Sequence, residues 1–458
     1  MKEKIKTILQ SLGYDPNLIE DNHFKLVDSW LRMYKGKTKD HYYYTYNGLK
    51  RTKQQIKSLQ IAYKSCTDLS DFFFNEKMEI TTDNKKFNIM LGDIFEQNNF
   101  LANANKLFQK TRALGDGAFV PFLDNKVMKI NYLNATNILV LDADNTGVNS
   151  VLFFNEEGNY LKVNVHILGE NGYTIYNMKY KKDVEGNYGD NLVDENLRVI
   201  ESNFVPKFAM IYGPEDNNIN LESPYHLSVY ANSYDNLMAI DRAYDSYDNE
   251  VWLGRKRIYV KGGAIQFNTD MNGNTAPIFD SSETIYHQLP GDEKSPMVQV
   301  DDSQLRIEML GQALQAQLNL YTSAIGLGHN YYKFKDGDTY VNTDNVISTN
   351  SDIYRKIRKQ ENIITHALKT LIYGIADLLG FEEGFEISID YDDSVIEDTE
   401  AIKKQALTEY NAGLISKAEY YRQVYKLEKD ASIDFDNQMK EERKQEELLD
   451  GTEFNLGE

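Results

Sequence analysis

Apolar positions in the first hundred residues recur at helical spacing. Ile5, Ile8, Leu9 and Leu12 form one stripe, which Gly13 closes. Asp15-Pro16 then opens a second helix carrying Leu18, Ile19, Phe24, Val27, Trp30 and Leu31. Ile56, Leu59, Ala62 and Tyr63 predict another helix, and Ile94 to Leu107 a further one, so 1–112 reads as mostly helical. From Gly115 the period changes to two. Ala118 to Leu123, then Asp124-Asn125, then Lys126 to Asn131 predict a hairpin. Strands at Val151–Phe154, Leu161–Ile167 and Tyr173–Tyr180 continue it as an antiparallel meander, and 181–196 reads as an exposed loop.

A second change comes at Pro224. Residues 226–253 predict one long helix, unusually polar, with Asp235, Asp241, Asp245, Asp248 and Glu250 against a single Arg242. Ile258–Val260 and Ala264–Phe267 alternate like strands, and Asn272-Gly273 signals a hairpin turn. Leu305, Met309, Leu310, Ala313, Leu314 and Leu318 mark a helix over 303–325, ended by Gly326 and Gly328. Residues 327–350 read as loop. A long helix is expected from Asp352 to Leu379, then a strand at Phe385–Tyr391 and helices near Thr399–Ala412 and Ser416–Val424. From Glu428 the tail carries eleven acids against four bases and is expected to fray.

Composition narrows the function classes. The 458 residues suffice for two or three domains, and 41% apolar content excludes wholesale disorder. The most apolar helix, Ala367–Phe381, is too short to span a bilayer and contains Lys369 and Asp377, so no membrane is expected as a partner. The charged start Met1-Lys-Glu-Lys-Ile-Lys lacks a following apolar core, which argues against a signal peptide. Cys66 is alone, leaving neither a disulfide nor a cysteine zinc site. A net charge of −20 denies the chain a generally basic grip on nucleic acid. Any DNA contact must be local or built not to stick.

Motifs of catalysis are incomplete. Gly36-Lys37-Thr38 resembles the end of a phosphate loop, but Leu31 stands where its first glycine belongs. Asp142-Ala-Asp144-Asn-Thr-Gly147 and Asn268-Thr-Asp270-Met-Asn272-Gly273 resemble calcium loops, yet their twelfth positions are Phe153 and Phe279; Asx-rich turns fit better. The seven histidines form no His-Glu-x-x-His pair, and no serine stands in a nucleophile elbow. Neither a catalytic residue, a metal nor a cofactor is expected. Two basic clusters interrupt the acidic background: Arg255, Lys256, Arg257 and Lys261, and Lys333 and Lys335 among Tyr331, Tyr332 and Phe334. From the residues alone they read either as exposed loops or as contacts to a phosphate backbone.

Taken in order, the elements resemble the portal protein of tailed bacteriophages, in particular the siphophage-type branch from Gram-positive hosts. Four stretches carry the likeness. Trp30 to Gly36 has the spacing W-x-x-x-Y-x-G, and Phe95 to Val120 ends in Gly115-Asp-Gly117-Ala-Phe-Val. Ser223 to Asp235 runs on through Asp241 and Asp245 to Leu253-Gly254. Ile387 to Ser394 is followed by Gly413-Leu-Ile-Ser416-Lys. One departure is Asn342-Thr343-Asp344-Asn345-Val346, where family members carry Thr-Ala-Thr-Glu-Val.

The resemblance implies an α+β portal fold. Its parts would be a wing (1–223), a first stem helix (224–253), a clip (254–302) and a second stem helix (303–326). A tunnel loop (327–350), a long helix (351–381), a further wing segment (382–398) and a crown with acidic tail (399–458) would follow. It implies a dodecameric ring at one capsid vertex of the virion, made in the host cytoplasm, through which double-stranded DNA is packaged and ejected. Implied partners are the terminase large subunit, a head–tail adaptor, and the major capsid and scaffolding proteins. On this reading Asp241, Asp245 and Asp248 line the channel. Lys333, Lys335, Thr343 and Asn345 contact DNA from the tunnel loop, and Arg255, Lys256, Arg257, Lys261 and Phe267 form the clip interface. The alternatives are another ring-forming connector or capsid protein, and a carbohydrate-active hydrolase, to which only the many tyrosines and acids point.

Overall fold

The structure is a computed structural model. It describes residues 1–37, 41–47, 50–74, 78–192, 198–200, 203–254, 257–261, 267–269, 273, 275–277, 285–289, 298–301, 304–333, 343–382, 384–391, 399–425 and 431–439. The chain divides into two compact units, Met1–Glu76 with Ile80–Ile389, and Lys77–Glu79 with Asp390–Glu458.

The first unit opens with α1 (Lys2–Ser11) and α2 (Asn22–Tyr34), the second begun by Asp21, whose carboxylate accepts from the His23 N–H. Where a helix was expected around Ile56, the chain instead forms a β-ribbon, β1 (Tyr42–Asn47) antiparallel to β2 (Lys50–Gln55). An extended stretch then leads into α3 (Ile61–Asp71). Tyrosine and threonine favour strands, and the Asn47-Gly48 dipeptide was the overlooked hairpin signal. Next come β3 (Glu79–Thr82), α4 (Lys85–Gln97) and α5 (Phe100–Leu114).

The expected hairpin is β4 (Asp116–Asp124) with β5 (Val127–Asn134). The meander comprises β6 (Ile138–Asp144), β7 (Gly147–Glu157), β8 (Tyr160–Gly169), β9 (Gly172–Lys182) and β10 (Tyr188–Leu192), each paired antiparallel with its predecessor, and β11 (Arg198–Ile200) also pairs with β9. Part of the expected 181–196 loop is thus strand, with Tyr188 buried in the sheet core. Strand β7 explains the run Val151 to Phe154. Alternate side chains face opposite sides, and both sides are covered. Leu152 and Phe154 pack with Ile5, Ile8 and Leu9 of α1, while Val151 and Phe153 pack with Ala118, Val120 and Phe208. Asp144 starts an Asx turn, accepting from the Thr146 N–H at 2.7 Å.

After β12 (Ala209–Tyr212), paired with β4, comes α6 (Tyr234–Leu253). Strands β13 (Arg257–Lys261), β14 (Phe267–Thr269), β15 (Thr275–Pro277), β16 (Ile285–Leu289) and β17 (Val298–Asp301) follow. Then come α7 (Ile307–Ala324), α8 (Thr343–Leu378) and β18 (Ile387–Asp390), which pairs with β3. Helix α8 starts nine residues earlier than the expected Asp352, because polar and β-branched residues such as Thr343, Asn345 and Thr349 hid its beginning. A third core joins Val27, Trp30 and Met33 of α2, Ala62, Cys66 and Leu69 of α3, Leu237 and Ile240 of α6, and Leu314, Leu318 and Tyr321 of α7. It roots both long helices in the first unit. Among the described residues, no helix is long and apolar enough to cross a membrane.

The second unit contains α9 (Thr399–Asn411), α10 (Lys417–Tyr425) and a further helical stretch over 431–439. Tyr421 and Phe435 meet edge to face, with ring centroids 5.1 Å apart.

Candidate functional site

The segment singled out by sequence is the pair α6 and α7 with the strands between them. On α6 the acids at 241, 245 and 248 recur at i, i+4 and i+7, which puts them on one face. That face is docked on the extended stretch after β2. The Leu59 N–H donates to Asp241 Oδ1 at 2.8 Å, and the Lys57 N–H donates to Asp245 Oδ1 at 3.0 Å. Asn249 Nδ2 donates to the other oxygen of Asp245 at 2.8 Å, and Lys57 Nζ pairs with Asp248. His41 Nε2 lies 3.4 Å from Asp241 Oδ2. Burial pushes the Asp241 carboxyl up, against the Leu59 and Ser58 hydrogen bonds, and pushes the His41 imidazole down.

Asp241 is 5% and Asp245 7% exposed, whereas the Asp248 side chain keeps 37%. Assembly can only remove accessible surface. Two of the three acids expected at a channel wall therefore satisfy backbone donors of their own chain, and Asp248, the most exposed of the three, is paired with Lys57. Asp235, one helical turn before Leu237–Ile240, is also exposed. The extended stretch at Lys57–Leu59 is the part of this site that sequence reasoning missed.

At the far end of the helices Glu250 holds Arg306 at three points. The Arg306 N–H donates at 3.0 Å and Nε at 3.2 Å, both to Oε1, and Nη2 reaches Oε2 at 2.7 Å. Gly254 sits in this clasp, and a Cβ there would meet Leu305 Cδ2 at 2.1 Å and the Glu250 carbonyl oxygen at 2.6 Å. Beyond it β13 lies parallel to β16 and antiparallel to β17, with Arg257 opposite Ile285 and Asp301, and Lys261 opposite Leu289. Phe267 starts the β14–β15 hairpin, and Gly273 between the two strands has φ 80°, whereas Asn272 lies outside the described residues. Arg255 and Lys256 lie outside the described residues.

After α7 the chain turns back on itself. Gly326 and Gly328 adopt positive φ, as does Asn330 at 63°. The Asn330 N–H donates to Asn319 Oδ1 at 3.2 Å, and Gln315 Nε2 donates to the Tyr332 carbonyl at 2.8 Å. The Tyr332 hydroxyl donates to Asp68 Oδ2 at 2.9 Å, and Tyr331 and Tyr332 both pack on the core. Those two rings anchor the loop and are not free to stack on a base. Lys333 follows them and is exposed. Lys335 lies outside the described residues, and Thr343 and Asn345 stand in the first turn of α8.

Residues 19–448 match the family described as phage portal protein, SPP1 Gp6-like. The chain belongs to this family. The match takes in α2 to α10 of the portal chain, so every residue of the site lies inside it. The family is a structural one, and its members are the connector through which a phage head joins its tail. A solved structure, the neck of a native GTA particle computed with C12 symmetry, is similar at 14% identity. The likeness covers 79% of this chain and 89% of that one, with a TM-score of 0.40. No curated protein matches the portal chain.

Proposed function

We propose that this portal chain forms a dodecameric ring at one capsid vertex of the virion and serves as the passage for double-stranded DNA during packaging and ejection. The observation that carries the reading is the family match over 19–448, which spans the whole segment from α6 through the strands to α7. Segments 224–253 and 303–326, which contain α6 and α7, are the stem, 254–302 the clip, 327–350 the tunnel loop with the start of α8, and 351–381 the helix that supports it. The wing, 1–223 with 382–398, faces capsid and scaffolding proteins; 399–458 is the crown and tail. Synthesis is in the host cytoplasm.

Within the stem, the exposed Asp235 supplies negative charge to the wall, while Asp248 is paired with Lys57. Asp241 and Asp245 act behind it by fixing the stretch at Lys57–Leu59 against α6. A negative wall repels phosphates over about 8–10 Å at ordinary salt, so a duplex slides instead of binding. Lys333, Lys335, Thr343 and Asn345 make loose contacts with the moving DNA. Arg255, Lys256, Arg257, Lys261 and Phe267 dock the terminase large subunit and later the head–tail adaptor. The packaging ATPase belongs to that partner, and the portal chain itself carries out no catalysis. Electron micrographs of the purified protein and of particles test this directly. The expected result is a ring with twelvefold symmetry at one vertex; a monomer with hydrolase activity would overturn the reading.

A further inference from the structure

The β1–β2 ribbon is largely exposed. Tyr43 and Tyr44 are exposed, Tyr46 is 73% exposed, and in β2 five of six residues are exposed. Neither face of it has a core, and an isolated two-stranded ribbon is marginal in water. Its composition is also unlike the rest of the chain. β1 carries four tyrosines (42, 43, 44 and 46) and β2 carries Lys50, Arg51 and Lys53, with Tyr44 opposite Lys53 and Tyr46 opposite Arg51, and no acid occurs between Asp40 and Asp68 in a chain of charge −20. The cations lie over the rings. The Arg51 guanidinium is 3.4 Å from the centre of Tyr44, and Lys53 Nζ is 3.5 Å from that of Tyr42. The base of the ribbon is fixed to α6 through the Lys57, Leu59 and His41 contacts.

We infer that this ribbon is an intersubunit clamp, whose occupant is the acidic surface of a second copy of this chain. The inference deepens the ring reading above and rests on it. Charge complementarity selects the occupant: the ribbon is an acid-free, positive segment of a chain whose net charge is −20. In a cyclic assembly each copy presents both the ribbon and the acidic face, so one heterologous contact repeats and closes. Tyrosine and arginine are the residues that concentrate binding energy at protein interfaces. Cations already seated over tyrosine rings present a compact surface of that kind.

The test uses the full chain, with Lys50→Glu, Arg51→Glu and Lys53→Glu combined in one variant and the same three positions changed to Gln in a second. Mass photometry follows assembly from about 50 to about 500 mM NaCl. The wild type is expected to form rings that dissociate as salt rises. The Glu variant should need at least about tenfold more protein to assemble, and the Gln variant an intermediate amount, with unchanged melting of the monomers. Carbodiimide treatment of rings mixed from light and 15N-labelled chains should join Lys50 or Lys53 of one chain to an Asp or Glu of the other. Rings of the Glu variant that assemble like the wild type, together with wild-type rings that show no mixed-label links at the ribbon, would overturn the clamp and leave the ring intact. Normal rings that fail only in packaging DNA would assign the ribbon to nucleic acid and also overturn it. A wild-type chain that never assembles would remove the ring reading itself.

Discussion

Asp245 and Asp248 are one turn apart on α6, and their environments give them different jobs. Asp245 receives the Lys57 N–H and Asn249 Nδ2 while almost fully buried, so its loss leaves backbone and amide donors without an acceptor. Such a loss costs about 1–3 kcal/mol. Asp245→Ala should lower stability by that order in urea melts, whereas Asp248→Asn should leave the midpoint where it is. A buried histidine supplies a second residue-scale expectation. His166 packs edge-on against Phe153 and Phe208, and burial holds its imidazole down to about 3, against an ordinary value of 6.5. The folded chain keeps the ring neutral while the unfolded chain protonates it. The stability from the neutral ring is therefore full above about pH 6.5 and is lost as pH falls toward 3, at up to about 1.4 kcal/mol per pH unit. His166→Gln should flatten the acid limb of the stability profile between about pH 6 and pH 4, read by denaturant titration at each pH.

At the scale of elements, the junction of α6 with the chain leading into α7 hangs on close approach. Gly254 N–H donates to the Glu250 carbonyl at 2.9 Å, and that carbonyl oxygen and Leu305 fill the space a Cβ would need. Gly254→Ala should force α6 and the chain before α7 apart, at a cost of about 1–3 kcal/mol typical of overpacking. Hydrogen exchange should speed up at the Gly254 and Arg306 amides before it changes elsewhere; unchanged exchange would show that the junction yields freely. The long helices and the meander were legible in the sequence because their apolar periods are strong, as in Val151 to Phe154, where even the two-sided burial follows from an unbroken apolar run. The ribbon at Tyr42–Gln55 was not, since without a buried face it shows no alternation, and only its turn dipeptide marks it. The site was half legible. An acidic α6 could be read directly, but which acids face outward depends on Lys57–Leu59, whose backbone donors leave no trace in side-chain patterns.

For the whole molecule, the decisive quantity is net charge. In the proposed ring, copies of a chain of −20 would surround a duplex with like charge. Proteins that hold DNA non-specifically do so by releasing counterions from phosphates, with dissociation constants of roughly 10⁻⁴ to 10⁻⁶ M at physiological salt. The chain's basic clusters at 50–53, 255–261 and 333–335 are small against its charge of −20. Assembled rings should therefore fail to retard linear duplex DNA at about 150 mM salt in an electrophoretic assay. Converting the outward acids, Asp235→Lys with Asp248→Lys, should create binding whose affinity falls steeply as salt rises, because each new lysine adds a counterion-releasing contact. The same rings should package more slowly, since a wall that binds phosphates must release each one before the duplex advances. Asp241 and Asp245 should not behave this way. Their charge is spent on backbone donors, and replacing them should cost stability without creating a DNA-binding wall. A double variant at 235 and 248 that neither binds DNA nor slows packaging would place the bore elsewhere than along α6.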